Sequence, residues 1–515
     1  MKKIYIILIA LTFTVSGCKK SFLDLHPLDQ TSPATFYQTD AQLKSAVAAA
    51  YVPMRDLMNY DYFCTEMKSD NTHYQNYPAN RGTAYVHREN VSDWNDDSTN
   101  GVTNMEYYDC YLTIFRSNIV IDRAPLAAGA SDAVKNNVIG QAKFLRAWNY
   151  FKLVRLFGGV PLYLNEVQNA DQAFVSRSTV DQVYAQIIAD ATDAVSKLAA
   201  PAKFPQTGEA TKGSAAMLLA EVYMVQKKYA EAETLLASLA GMGYGLNTNY
   251  ADAFLTTNKN SKESIFEVQF LEGQTTTSAP SNFIYQFLPR CTTTALITGA
   301  NAGSANAATG GWNTPSPDLI AAYEAGDKRL DASIGIAEGA YNASDQLVVS
   351  ANKSIVGYTP AAGKVGIPYA KKYLHTPHVA ANISNDNWPV YRYADALLLL
   401  AEAQNEQGKS PLTALNAVRL RAGLLGSTET NQTLLRDLIM RERRVELAFE
   451  NHRWHDLQRT GTALTVMTAY AVKAKSTYYT NVPANAFGIT ANRLLFPIPQ
   501  AETGINPQLT QNPGY

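Results

Sequence analysis

The tetrapeptide LLAE occurs at residues 218–221 and again at residues 399–402, and each copy belongs to a segment built in the same order. A first helical pattern leads into a short turn that contains lysine and then into a second helical pattern, at 227–236 (KKYAEAETLL) and at 408–418 (GKSPLTALNAV). Small residues recur where the two helices of each pair would touch, and they allow the helix axes to approach closely. The sequence therefore predicts two helical hairpins.

These hairpins resemble those of tetratricopeptide repeats, in which alanine and glycine let paired helices pack closely. Two clear copies far apart in the chain do not make a regular solenoid, so we expect a helical scaffold that brings the hairpins together in space. Apolar residues at spacings of three and four predict further helices. The predicted helices include residues 40–58, 107–123, 138–157, 179–198, 393–407, 411–422 and 433–457. The expected fold is mostly α, a single large domain with a loop-rich face and minor short strands.

Composition places the chain among ordinary globular proteins. It has 515 residues, of which 46% are hydrophobic and 17% charged, as is typical of a folded chain rather than a disordered one. The formal net charge of -1 provides no basic field for nucleic acid. Thirty tyrosines offer flat apolar faces with polar tips, a combination suited to partly hydrated ligands.

The N-terminal sequence has the features of an export signal. Lys2 and Lys3 precede an apolar stretch at residues 4–15, which is shorter than the roughly 20 apolar residues that span a bilayer. The sequence VSGC follows at residues 15–18, the small-small-cysteine pattern at which bacterial lipoprotein precursors are cleaved and lipidated. An ordinary secretory signal followed by a chance cysteine is the alternative.

The lipoprotein interpretation sets the start of the mature protein. We predict a signal peptide at residues 1–17, lipidation of Cys18 and an extended, proline-punctuated lipid-anchor leader at residues 18–35. A protein anchored in this way lies on a membrane rather than in it.

The remaining cysteines, Cys64, Cys110 and Cys291, have neither a Cys-x-x-Cys nor a zinc spacing. Free buried thiols are the preferred interpretation. A disulfide between Cys64 and Cys110 stays open for an oxidising compartment.

The amino-acid composition of the sequence changes between the two hairpins. Residues 264–270 (SIFEVQF) alternate like a short strand. The following stretch is rich in Gly, Ser, Thr, Asn and Pro, and such a long loop region in a compact domain is usually functional. We therefore divide one domain at 36–515 into an N-terminal helical part at 36–260, a loop-rich insertion at 261–390, and a C-terminal helical part with a tail at 391–515.

Three glutamates raise the question of catalysis. Glu442, Glu446 and Glu450 recur at four-residue spacing, so a helix would place them on one ridge beside several arginines, where ion pairs form. Glycoside hydrolysis needs two carboxylates that face each other across a sugar, roughly 5 to 9.5 Å apart. We interpret the three glutamates as structural and predict no catalytic residue.

Metal and cofactor sites are not predicted either. His452 and His455 are three residues apart, but no third ligand follows at a metal spacing. The glycines at 241–245 (GMGYG) lack the context of a nucleotide-binding loop, and we interpret them as a turn.

Several motifs, in this order along the chain, resemble the SusD/RagB family of outer-membrane nutrient-binding lipoproteins. They are Phe22-Leu23-Asp24, residues 142–147 (AKFLRA), residues 156–161 (LFGGVP), the two LLAE helices, residues 439–461 (IMRERRVELAFENHRWHDLQRTG), residues 496–499 (FPIP) and the closing residues 512–515 (NPGY). The resemblance covers essentially the whole chain.

This resemblance implies a helical fold with a loop-rich ligand-binding face and a location on the outer membrane, anchored by lipid and facing the cell exterior. It also implies a partner, a TonB-dependent outer-membrane transporter of the SusC type, to which the lipoprotein delivers an oligo- or polysaccharide without chemical change. A peptide-binding lipoprotein of the same family is the alternative, and a glycoside hydrolase is the weaker one.

The candidate binding residues are aromatic and amide side chains. A sugar ring stacks its C–H face on an aromatic plane, while its hydroxyl groups need fixed donors and acceptors. In the polar stretch at 61–104 the candidates are Asp70, Asn71, Tyr74, Arg81, Trp94 and Asn95. In the middle region they are Tyr285 and Trp312. The alternative is that these aromatic residues cover a helical surface.

Overall fold

The computed structural model describes residues 36–75, 83–300, 310–479 and 481–515. The predicted signal peptide, the leader with Cys18, and Arg81 lie outside the described residues. Within the described ranges, no helix combines the length and the apolar character that crossing a membrane requires.

Helices dominate the described chain. They are α1 Asp40–Met58, α2 Asp61–Cys64, α3 Thr83–Ser92, α4 Gly101–Arg123, α5 Asp132–Phe157, α6 Val180–Lys197, α7 Lys212–Val225, α8 Tyr229–Gly241, α9 Phe283–Phe287, α10 Ala295–Thr298, α11 Pro317–Ala322, α12 Lys328–Ser333, α13 Tyr393–Glu406, α14 Leu412–Arg421, α15 Gln432–Glu446, α16 Arg453–Arg459, α17 Ala463–Lys473 and α18 Gln500–Ile505. The expected fold class, mostly α with minor strands, is confirmed.

The long helices pack in a row that follows the chain and then continues across a gap in sequence. Helix α4 packs on α5, α5 on α6, α6 on α7 and α7 on α8, and α8 then packs on α13, beside α14 and α15. At that junction the Glu233 side chain on α8 accepts a hydrogen bond from Gln407 at 2.9 Å and another from Gln404. The two predicted hairpins, α7–α8 and α13–α14, therefore adjoin in space as expected.

Helix α5 illustrates how local sequence sets an element. Ser131 caps its N-terminus, since its hydroxyl accepts a hydrogen bond from the Val134 amide. Gly158 follows its last turn with a φ of 75°, a conformation that glycine adopts without strain. Inside the helix, Arg146 forms a bidentate ion pair with Asp190 at 2.7 and 2.8 Å, which ties α5 to α6.

Strands form three small antiparallel sheets. They are β1 Thr72–His73, β2 Ser264–Val268, β3 Thr314–Pro315, β4 Ile334–Tyr341, β5 Leu347–Ser354, β6 Val365–Ala370 and β7 Trp388–Arg392. Strand β2 pairs with β7, β1 pairs with β3, and β4 lies between β5 and β6. The predicted strand near residue 264 is confirmed, whereas the three-stranded sheet was not predicted within the loop-rich insertion.

The predicted helix at 433–457 is wrong as a single element. Helix α15 ends at Glu446 and α16 begins at Arg453. Between them Phe449 and Asn451 both have a φ of 68°, a left-handed conformation that interrupts a right-handed helix.

A buried ion network explains the three regularly spaced glutamates. Glu446 accepts from Arg329 at 3.1 Å and from Arg392 at 3.0 Å, Glu450 accepts from Arg392 at 2.6 Å, and Glu442 lies 2.6 Å from Arg329. Burial opposes the ionisation of Glu446, but the surrounding arginines outweigh burial and lower its pKa. The predicted structural role is confirmed, but the partners Arg329 and Arg392 come from distant segments rather than from the same helix.

The three remaining cysteines, Cys64, Cys110 and Cys291, are all buried, and none of them forms a disulfide with another described residue. The preferred interpretation is confirmed, and the alternative disulfide between Cys64 and Cys110 is not formed.

The C-terminal segment is fastened to the end of α5. The Asn512 amide nitrogen donates to the backbone carbonyls of Phe157 at 2.9 Å and of Phe496 at 2.7 Å. Arg177 donates to the Asn512 side-chain oxygen at 2.7 Å and to the carbonyl of Thr510 at 2.9 Å. These bonds close the tail over the helical row.

Candidate functional site

The two regions in which the sequence analysis placed the candidate binding residues lie next to each other in the structure. Strand β1 from the early stretch pairs with β3 from the middle region, with Thr72 opposite Pro315 and His73 opposite Thr314. The pairing continues beyond the strands, since the Gln75 amide donates to the Gly311 carbonyl at 2.7 Å. Residues that are about 240 positions apart in the chain thus form one junction.

The structure corrects the prediction for Trp94. Its side chain is 0% exposed, with the Lys68 ammonium 4.2 Å from the ring centroid and Trp454 packed edge-on at 5.4 Å. A ring enclosed in this way offers no face to a sugar. Trp94 is a core residue that packs the early stretch against the C-terminal helices.

Asp70 and Asn71 are also structural, contrary to their predicted role. The Asp70 carboxylate pairs with Arg453 at 2.8 Å and with Arg444 at 2.9 Å. Asn71 donates to Glu66 at 2.8 Å and accepts from Arg444 at 2.8 Å. Burial opposes the ionisation of Asp70, but the two guanidinium groups outweigh it and lower the pKa to about 2. Both side chains therefore bind arginines of the C-terminal helices.

Tyr74 and Tyr285 are likewise buried. The Tyr74 hydroxyl donates to Asp93 at 2.7 Å, and the Tyr285 hydroxyl lies 2.9 Å from the Nδ1 atom of His378. Asn95 is half-buried on the turn that follows Trp94. The predicted contacts of the two tyrosines with a ligand are therefore not supported by their positions.

A set of aromatic and arginine side chains lies at this junction, and we call this set the Tyr85 cluster. It consists of Phe63, Tyr85, Arg88, Arg290 and Trp312. The rings of Tyr85 and Trp312 stack with centroids 5.7 Å apart and an interplanar angle of 29°. The Arg290 guanidinium lies 4.8 Å from the Tyr85 centroid, and Arg88 lies 5.6 Å from that of Trp312. Phe63 packs edge-on to Trp312 at 5.2 Å.

Exposure divides the Tyr85 cluster into an inner and an outer part. Trp312 is only 2% exposed, so the prediction that it is the platform itself is corrected. Tyr85 and Arg88 are half-buried and form the outer part. They stand three residues apart on α3, a spacing that places both on one helix face. That spacing was the signal for these two residues, which the sequence analysis did not select.

Within the described ranges, no group of three or more His, Cys, Asp or Glu side chains is arranged to hold a metal ion. Of the two histidines considered above, His455 is buried and its ring nitrogen lies 3.4 Å from the Gln458 side-chain oxygen.

Comparison with known proteins identifies the chain. The family model described as "SusD family" matches residues 223–515, and a second, described as "Starch-binding associating with outer membrane", matches residues 21–224. The chain belongs to the SusD family. The resemblance inferred from the sequence motifs is therefore confirmed.

Individual relatives agree with this assignment. The chain is similar to SusD-like protein P2 of Formosa agariphila, with 27% identity over the full length of both chains. It is also similar to the starch-binding protein SusD of Bacteroides thetaiotaomicron, with 24% identity over 75% of this chain and 74% of that protein. Among solved structures, a laminarin-binding SusD-like protein has a TM-score of 0.71 at 25% identity, covering 93% of this chain and all of that one.

Proposed function

We propose that this SusD family member binds an oligo- or polysaccharide at the cell surface, contacts it through the Tyr85 cluster and leaves it chemically unchanged. Two similar proteins support the ligand class, since one is named for laminarin binding and the other for starch binding. The single observation that carries the location of the site is the pair of half-buried side chains, Tyr85 and Arg88, on a stacked aromatic base.

The chemistry of the cluster suits a sugar. The Trp312 ring stacks on Tyr85 and is itself packed edge-on by Phe63, so a sugar that contacts Tyr85 does not have to immobilise a mobile side chain. Arg88 provides N–H donors next to the rings, and sugar hydroxyl oxygens accept such bonds. Arg81, which lies four residues before Tyr85 in the sequence, remains a candidate contact.

The test is the Tyr85→Ala variant, assayed by calorimetry with a glycan first selected on an array of neutral oligosaccharides. We expect its binding free energy to weaken by about 1–3 kcal/mol, as for a central aromatic contact. Tyr341→Ala is the matched control, because Tyr341 is 48% exposed and lies on β4 outside the cluster. Equal affinity in wild type and Tyr85→Ala would remove the cluster from the proposal.

The absence of catalysis is tested with the same glycan. After prolonged incubation with the protein, the chain-length distribution and the number of reducing ends should be unchanged. An increase in reducing ends that scales with protein concentration would contradict a binding-only role.

We further propose that Cys18 carries a lipid that holds the protein on the outer membrane, and that a SusC-type TonB-dependent transporter receives the glycan. The outer-membrane association named in the matching family description supports the location. Cys18→Ala should convert a membrane-bound protein into a soluble one upon fractionation, and copurification of a β-barrel transporter with the wild type should identify the partner. Continued membrane attachment of Cys18→Ala would contradict the anchor.

A further inference from the structure

A cavity lies against α4, away from the Tyr85 cluster. It has a volume of about 380 Å³ and lies between α4, the segment at 161–174 and α18. Its lining includes Tyr107, Tyr108, Tyr111, Tyr163, Phe174 and Glu502. We call it the α4 pocket. Its volume falls within the range of small-molecule sites.

The aromatic rings of the α4 pocket support one another. Tyr107 and Tyr111 lie 4.8 Å apart between centroids, Tyr111 and Tyr163 meet edge-on at 5.8 Å, and Phe115 lies 5.1 Å from Tyr163. The hydroxyl groups of Tyr111 and Tyr163 donate to the backbone carbonyls of Pro161 at 2.8 Å and Ala173 at 2.6 Å. The wall is therefore fixed before any ligand arrives, which lowers the entropic cost of binding.

The rim of the α4 pocket is apolar and open to solvent. Tyr108 is 57% exposed, Phe174 is 40% exposed and Ile505 is 69% exposed. Single exposed apolar side chains are common, but three around one aromatic pocket form a patch of the kind that marks a binding site.

One charged side chain faces these rings. Among the described residues that line the α4 pocket, only Glu502 carries a charge. It is half-buried, and burial raises its pKa, because no solvent shell compensates the carboxylate on that side. The amide of Asn506 is held by the backbone, since its nitrogen donates to Val175 at 2.9 Å and its oxygen accepts from Gln508 at 3.0 Å.

The α4 pocket thus presents ring faces, phenol oxygens and a carboxylate. Aromatic faces attract cations through the negative potential of their π systems, and a carboxylate supplies the counter-charge. Glu502 only accepts hydrogen bonds, and of the four lining tyrosines Tyr111 and Tyr163 already donate to backbone carbonyls, so the lining offers more acceptors than donors. This combination favours a ligand that brings its own N–H donors and a positive charge.

We infer that the α4 pocket is a second ligand site that takes an ammonium group carried on a hexose-sized body, as in a 2-amino sugar of a glycan. The sugar origin of the amine rests on the proposed function, whereas the preference for a cation rests on Glu502 and the aromatic wall alone. A site of this kind lets the protein bind an amino-sugar polymer at two points, which raises the avidity of the protein for the polymer.

The experiment titrates the full mature protein with the disaccharide of glucosamine and with its N,N'-diacetylated counterpart, at a pH that keeps the free amines protonated. Calorimetry gives the affinities, and the thermal unfolding midpoint verifies folding of each variant. We expect acetylation of the ligand to weaken binding at least tenfold and Glu502→Gln to weaken binding of the free amine at least tenfold. Glu231→Gln, a change at an exposed glutamate on α8, is the control and should bind like the wild type.

Several outcomes would overturn the inference. Equal affinity for the free and the acetylated disaccharide would make the pocket a neutral-sugar site, and no binding of either would make it no sugar site. Binding of lysine amide without binding of the glucosamine disaccharide would assign the pocket to a peptide. Tyr85→Ala should leave amine binding intact, so that a failure of the glycan site at the Tyr85 cluster is distinguishable from a failure here.

Discussion

Two parts of the early polar stretch have a similar composition but differ in how deeply they are buried. In the first part, Asp70 and Asn71 are buried and bonded to arginines of α15 and α16. In the second part, on α3, Tyr85 and Arg88 stay half-buried beside Trp312. Both parts carry the aromatic, amide and charged side chains that suit a sugar.

The difference lies in what packs against each part. The first part is covered by C-terminal helices, whose Arg444 and Arg453 pair with Asp70. The second part lies against Trp312 and Arg290 of the middle region, and Tyr85 and Arg88 stay half-buried. Residue type therefore suggests a binding surface, but coverage by distant segments determines which residues can reach a ligand.

The strongest test of this contrast is Trp94→Ala. Because Trp94 is fully buried against Trp454, the variant should lose about 3–5 kcal/mol of unfolding free energy through lost burial and a cavity. Urea denaturation measures the loss. Glycan affinity of the protein that remains folded should match the wild type, and a stable variant with weakened binding would reverse the assignment.

Asp70→Asn should have the next largest effect. It leaves Arg444 and Arg453 without their shared counter-ion, and breaking a buried pair costs roughly 3 kcal/mol or more. The same denaturation experiment at neutral pH measures it, with Asp171→Asn at an exposed aspartate as the control. A cost below about 0.5 kcal/mol would show that the pair adds nothing.

The stabilisation from Asp70 should depend on pH. Its folded pKa of about 2 lies below the unfolded value of about 3.9, so the difference contributes about 2.5 kcal/mol at neutral pH. This contribution is fully present above the unfolded pKa and is lost as the pH falls through the folded pKa. The stability difference between wild type and Asp70→Asn should shrink by about half at pH 3, and a constant difference would contradict the depressed pKa.

The smallest effect is expected for Arg88→Met in the second part. The variant keeps an apolar stem over the rings of Phe63 and Trp312 but removes the guanidinium. We expect glycan binding to weaken by about 1 kcal/mol, the size of a single exposed cation–π or polar contact, with little change in stability. Lys353→Met, on the exposed part of β5, is the control, and an unchanged affinity would restrict the site to Tyr85.

The helical part of the fold was predictable because its signals are local. The expected bounds of α1 match the structure at both ends, and Thr179, where the predicted helix at 179–198 begins, is the N-cap of α6. The break after Glu446 escaped prediction because the periodic pattern continues through Phe449 and Asn451, whose left-handed backbone is set by tertiary contacts such as the bond from the Phe449 amide to Glu66.

The sheet of β4, β5 and β6 was not predicted for another reason. Its strands lie in a Gly-, Ser- and Asn-rich region, where pairing between neighbouring strands outweighs weak intrinsic preference. The site was predictable only as a meeting of two regions. Which of its residues are covered depends on helices more than 370 positions away, as for Asp70 and Arg444, and no local pattern carries that information.

The hydrogen bonds of Asn512 have a consequence for the lifetime of the protein. A chain that lacks the segment from Asn512 onward would retain every long helix, yet the Phe496 carbonyl would lose its bond from Asn512 and the Phe157 carbonyl would keep only the bond from Arg177. Exposed ends of this kind are where proteolysis begins. Molecules with and without this segment should therefore differ little in helix content but differ in their rate of proteolysis.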